Sequence, residues 1–220
     1  SSGSADVLEA AGVNLELSPE QVKHCIETVG VGFMFAQKHH GAMKHAIGPR
    51  REMGVRTIFN LLGPLTNPAQ AAHQVLGVFD KKWVKPMAEV LQKLGSRHVL
   101  VVHAEDGLDE ISIGAETHVA ELKEGKVTTY TIKPEDFGLQ QNTIETLTVS
   151  NAQDSLSLIK EVFDGKPGPA RDIVVLNAGA AIYAADITVS LAEGIAMAAE
   201  LIDSGAATQK LNALIVTSRT

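Results

Sequence analysis

No stretch of this chain approaches the roughly 18 uninterrupted apolar residues that mark a membrane-spanning helix, and no signal peptide opens it. Cysteine is nearly missing. The single Cys25 excludes an internal disulfide and fits a reducing compartment, the cytoplasm. It lies in QVKHCIETV, where Val22, Cys25, Ile26 and Val29 fall at helical spacing, so it is expected to be a small buried hydrophobe and not a nucleophile. There is no P-loop, no GxGxxG fingerprint, no nucleophile elbow, no internal repeat and no low-complexity tract. Positive charge is short overall: the net charge of −7 argues against a general nucleic-acid binder.

What is present is unevenly placed. Between Thr28 and Phe79 there are five cations (Lys38, Lys44, Arg50, Arg51, Arg56) against the one anion Glu52, a net of +4 that leaves −11 for the remainder. A basic island in an acidic chain suits a small anion better than a polyanion, with a solvated helix face as the competing reading. The length of 220 residues and the apolar content of 45% allow a real core in one large domain, or one and a half small ones. The opening SSGSAD has no initiator Met and reads like the middle of something longer.

Along the chain, SPEQ at 18–21 predicts a helix start, with Ser18 as N-cap, Pro19 at the first helical position and Gln21 closing a capping box. VGVGFMFA (29–36) predicts a short buried strand, and 39–70 reads as helical turns broken by Gly and Pro. HQVLGVF (73–79) predicts a strand, Asp80 caps a helix through Val84, Met87, Ala88 and Leu91 that closes at Gly95, and HVLVVH (98–103) is a strand apolar on both faces. Strand, helix, strand at that spacing is a parallel βαβ unit. THVAELKEGKVTTYTI (117–132) predicts a hairpin turning at Glu124-Gly125, SLAE (190–193) a second capping box, and 170–185 a central buried helix. The class is α/β.

Three constellations carry chemistry. Asp109 and Glu110 in GLDEIS follow a buried strand, with Glu105 and Asp106 close by. Ligands in open α/β sheets sit beyond the carboxyl ends of parallel strands, and adjacent carboxylates there suit a Mg²⁺ whose shell is completed by phosphate and water. A solvated acidic turn is the alternative. QKHHGAMKHAIGPRR (37–51) lacks the i, i+4 histidine spacing of a zinc helix; Arg50 or Arg51 is a candidate fork for a carboxylate, or a structural partner of Glu52. SSGSAD sets hydroxyls just before a helix starting near Ala5, which makes either a phosphate site at a helix N-terminus or a loose terminus.

Taken together, GVRTIFNLLGPLTNP (54–68), SGSADVLEAAGVNL (2–15), MFAQKHHGAMKHAIGPRREMG (34–54), HAEDGLDEIS (103–112), YTIKPEDFGL (130–139) and SLAEGIAMAAELIDSG (190–205) resemble the anthranilate phosphoribosyltransferase family, in order and from end to end. The resemblance implies transfer of the phosphoribosyl group of phosphoribosyl pyrophosphate (PRPP) to anthranilate in tryptophan biosynthesis, with Mg²⁺. It implies that Asp109 and Glu110 hold Mg²⁺, that Ser4 binds PRPP with Ser2 nearby, and that Arg50 holds the anthranilate carboxylate. His39, His40 and Pro64 lie along the anthranilate path, although Gly41 stands where the family usually has proline.

The implied fold is a mostly parallel sheet flanked by helices, nucleoside phosphorylase/phosphoribosyltransferase-like, with the small helical domain largely missing. Residues 1–38 and 71–220 form the α/β domain, and 39–70 is an excursion belonging to the small domain, which in the family also makes the homodimer. The family's GTGGD and KHGN loops are not in these residues, so the isolated stretch is expected to be inactive without its N-terminal part. A pyrimidine nucleoside phosphorylase and a non-catalytic nucleic-acid-binding relative of the fold are the competing readings.

Overall fold

The computed structural model describes residues 3–35 and 59–220. Most of the 39–70 excursion therefore lies outside the described residues. The chain divides into two units, and each is taken by itself.

One unit gathers the described residues of Ser1–Thr57 with Val149–Lys166 and Ile202–Thr220. It holds helices α1 (Ser4–Ala11) and α2 (Pro19–Val29). The expected capping box on α2 is present: Ser18 Oγ accepts from the Gln21 N–H at 3.2 Å, and Gln21 Oε1 accepts from the Ser18 N–H at 2.9 Å. Val22, Cys25 and Val29 turn inward and join Val13 and Leu17 in one apolar core, where Cys25 is 1% exposed. Ile26, expected on the same face, points out and is 44% exposed. The strand expected at 29–36 does not form among its described residues. Val29 instead completes the apolar face of α2, and Gly30 stops the helix in a left-handed conformation (φ 86°) that few other residues adopt at low cost; 31–35 follow without regular structure.

The other unit, Ile58–Thr148 with Pro167–Leu201, is built on a four-stranded sheet. After helix α3 (Phe59–Leu65), strand β1 (His73–Gly77) leads through a short 3-10 turn into helix α4 (Val84–Lys93) and back into strand β2 (His98–Ala104). Asp80 caps the turn, accepting from the Lys82 N–H at 3.0 Å, so α4 starts one turn later than a direct Asp80 cap implies. The βαβ unit is as expected: β1 and β2 pair in parallel, with Gly77 opposite Val102. Strands β3 (Thr117–Lys123) and β4 (Lys126–Ile132) then add antiparallel, through a turn with positive φ at Glu124 and Gly125. The α/β class holds, but the described sheet is mixed, because the hairpin supplies two of its three pairings.

Val84, Met87, Ala88 and Leu91 of α4 pack on Leu76, Val99, Val101, Ala120 and Leu122, alternate residues of three strands. Leu100 and Val102, on the opposite face of β2, are equally buried. Helix α6 (Pro169–Ala184) packs on β1 and β2, and helices α5 (Ala152–Phe163), α7 (Leu191–Asp203) and α8 (Ala206–Thr217) complete the described elements. At α7 Ser190 Oγ accepts from the Glu193 N–H at 3.2 Å, as the SLAE box predicts.

Beneath the start of β2 lies a polar knot. His98, 1% exposed, sets Nδ1 at 2.6 Å from Asp186 and Nε2 at 3.0 Å from Glu121. The hydroxyls of Tyr183 and Tyr130 also donate to Glu121, at 2.7 and 3.0 Å. Burial and the Glu121 charge push the Tyr130 phenol well above its usual range and keep it a neutral donor. No helix among the described residues is long and apolar enough to cross a membrane.

Candidate functional site

The first turn of the loop after β2, residues 105–110, carries four carboxylates, and the structure gives them two different fates. Glu105 is engaged by Lys81, at 3.2 Å, and by His118; the His118 hydrogen bond first and then the lysine hold its carboxyl below the usual range. Asp106 turns inward, accepting from the Ser112 hydroxyl and, at 3.3 Å, from the Leu108 N–H, while Ser112 Oγ accepts from the Gly114 N–H at 2.8 Å. These two acids build the loop.

Asp109 and Glu110 do not. Both are exposed, and neither side chain has a hydrogen bond or ion pair among the described residues. The Glu110 carboxyl is pushed above its ordinary range, first by crowding around it and then by the charge on Asp109. Two neighbouring carboxylates that repel each other without a protein counter-charge gain from a cation. Among the described residues no group of three or more His, Cys, Asp or Glu is placed to hold a metal ion by itself. Two exposed hard oxygen donors instead match the habit of Mg²⁺, which takes one or two carboxylates and completes its shell with water and phosphate.

The backbone beneath this pair is firmly held. Immediately after Glu110 the chain dives into the core: Ile111 is 2% exposed and Ile113 is fully buried. Asn177, from the middle of α6, makes a two-point clamp on Ile111, its Oδ1 accepting from the Ile111 N–H at 3.0 Å and its Nδ2 donating to the Ile111 carbonyl at 2.8 Å. On the other side the Asp109 carbonyl lies against the last residue of β1. A Cβ built on Gly77 would stand 1.6 Å from that oxygen, so only glycine permits this approach. Sequence reading missed both residues. The available signals were a glycine inside a strand and a lone amide inside an apolar helix.

The remaining candidates are placed as follows. Ser4 is the first residue of α1 and is exposed; the Gly3 N–H before it donates to Asp6 Oδ2 at 2.8 Å, so that amide is already engaged. Pro64, inside α3, lines a cavity of about 250 Å³ with Ala72, Leu91, Gly95 and Ser96, residues that precede β1 and β2. The structure therefore does not bring Pro64 to the acidic pair, which follows the opposite end of β2. Ser2, His39, His40 and Arg50 lie outside the described residues.

The model of the "glycosyl transferase family, a/b domain" matches residues 1–208. An anthranilate phosphoribosyltransferase of Thioalkalivibrio sulfidiphilus is 69% identical over 214 residues, covering 97% of this chain and 63% of the relative. That of Methylococcus capsulatus is 64% identical over 218 residues, covering 99% and 64%. Among solved structures, anthranilate phosphoribosyltransferase from Thermus thermophilus superposes with a TM-score of 0.92 at 46% identity, over 99% of this chain and 65% of its own. The Saccharomyces cerevisiae enzyme in complex with PRPP and Mg superposes with a TM-score of 0.89 at 25% identity, over 99% and 63%. The chain thus spans less than two thirds of the length of each relative it matches here.

Proposed function

Because this chain belongs to the glycosyl transferase family through its a/b domain, we propose that the protein carrying it transfers the phosphoribosyl group of PRPP to the amine of anthranilate, releasing pyrophosphate, as a step of tryptophan biosynthesis. The observation that carries this reading is the pair Asp109 and Glu110, exposed and unpartnered among the described residues on a loop that is otherwise tightly built. Those two carboxylates are the residues that would hold Mg²⁺. Bound there, the ion supplies positive charge where negative charge gathers on the departing pyrophosphate.

The other roles follow from side-chain chemistry. Ser4, with Ser2 beside it, donates hydroxyl hydrogen bonds to PRPP. Arg50 offers a two-pronged guanidinium to the anthranilate carboxylate, and His39 and His40 line the way in; Pro64, set at the other end of β2, takes no part in this reading. An aromatic amine is already unprotonated at neutral pH, so the nucleophile needs orientation more than a base. That explains why no histidine or cysteine dyad is required. Residues 39–70 belong in this reading to a small helical domain, and 1–38 with 71–220 to the α/β domain. The complete protein is a cytoplasmic homodimer.

The competing reading is a pyrimidine nucleoside phosphorylase. The full-length protein, given PRPP, anthranilate and Mg²⁺, is expected to consume anthranilate and leave thymidine and uridine untouched in phosphate buffer. Phosphorolysis of either nucleoside without anthranilate turnover would reverse the assignment, and salt-dependent DNA binding with neither activity would favour a non-catalytic relative.

A further inference from the structure

We propose that Asn177 is the positioning residue of the acidic loop: its side-chain amide fixes the aim of Asp109 and Glu110 and so tunes their hold on a divalent cation. This rests on the reading of that pair as the cation site.

Asn177 is the sixty-sixth residue beyond Ile111 in sequence, yet its carboxamide spans both backbone polar atoms of Ile111, one at 3.0 and one at 2.8 Å. A planar amide bonded at both ends has neither translation nor rotation left in its plane, so the Ile111 peptide groups are set in orientation as well as in place. Ile111 directly follows Glu110, and rotating its N–H rotates the peptide plane on which the Glu110 carbonyl sits. The amide is itself pinned, since Nδ2 also donates to the Ile173 carbonyl one turn earlier in α6, at 3.0 Å. Burial of Ile111 alone could hold depth in the core, but an apolar contact sets no rotation. The orienting role therefore falls to Asn177, which stands in an otherwise apolar helix segment where leucine or alanine would satisfy packing. Partners that orient a metal-binding group without touching the metal typically contribute about 10- to 100-fold in metal affinity.

The test uses the full-length protein with Mn²⁺ as probe and PRPP present, following bound Mn²⁺ by water-proton relaxation. Asn177→Ala is expected to raise the Mn²⁺ dissociation constant by about tenfold or more. Asn177→Ser, which cannot span both backbone atoms and is milder on folding, is expected to raise it too. Val175→Ala, a cavity in the same helix at a residue 2% exposed, lowers the melting temperature without changing Mn²⁺ binding. Wild-type affinity in both Asn177 variants, or an equal loss in Val175→Ala, would overturn the positioning role while leaving the cation site intact. If Asp109→Asn also leaves Mn²⁺ binding unchanged, the cation site itself is wrong and the role of Asn177 falls with it.

Discussion

Replacing Gly77 by alanine adds a single methyl group, and the structure says where it goes. The new Cβ would lie 1.6 Å from the Asp109 carbonyl oxygen and 2.6 Å from its carbon. Ordinary contact begins near 3.4 Å, so one side must retreat by about 1.8 Å. Strand β1 is poorly placed to do so. Gly77 is in register with Val102, and the next residue, Val78, donates its N–H to the Val102 carbonyl at 3.0 Å. The loop must move instead, against the Asn177 clamp two residues further on. Overpacking of this kind costs about 1–3 kcal/mol, and each kcal/mol lowers the melting temperature of a protein this size by roughly 2–4 °C. A displacement near 1 Å at a reacting centre typically costs about 10²-fold in rate. Calorimetry and Mg²⁺-dependent turnover of full-length Gly77→Ala should therefore show a melting point several degrees lower and turnover down by about two orders of magnitude. Wild-type values in both would refute the close approach. A lower melting point with intact turnover would show that the placement of the loop does not govern the chemistry.

Other outcomes follow from the same coordinates. His98→Leu strips Glu121 and Asp186 of the buried ring between them and is expected to destabilise the protein by about 3 kcal/mol in urea unfolding, with wild-type stability as the refuting result. The Asp186 carboxyl is held below its usual range, chiefly by its hydrogen bond to His98, which outweighs the opposing effect of burial, with the charges of His98, His73 and Lys123 adding to it. A depressed carboxyl contributes stability that is present above its unfolded value of about 3.9 and is lost as pH falls through the lower folded value. Asp186→Asn should therefore flatten the acid limb of the urea midpoint below about pH 4, and an unchanged limb would contradict the linkage. Cys25 should react with a thiol reagent only on unfolding, since its side chain is buried in the α2 core.

The parts legible in the sequence were those whose cause is local. Ser18, Pro19 and Gln21 announce the start of α2 because capping chemistry spans three residues. The run 98–102 announces a strand covered on both faces, and the βαβ unit follows from its spacing to 73–77. Val29 misled because a single valine serves equally as the last apolar position of a helix or the first of a strand, and only the left-handed turn at Gly30 decides. The mostly parallel sheet came from the family resemblance, whereas among the described residues the hairpin at Glu124-Gly125 adds its two strands antiparallel. In the site, Asp109 and Glu110 were visible as charge placed just beyond a buried strand. Gly77 and Asn177 were not, because their meaning is a contact with residues 32 and 66 positions away, and spacing within one element carries no trace of it.

The most direct test of the cation site is a Mg²⁺ titration of anthranilate consumption, followed by fluorescence with PRPP saturating, in full-length wild type, Asp109→Asn and Glu110→Gln. Wild type should require Mg²⁺, and each variant should lose about 10²-fold or more in turnover, with its Mg²⁺ requirement shifted upward. Wild-type turnover and an unchanged Mg²⁺ response in both variants would place the cation elsewhere and leave the two carboxylates as a solvated turn.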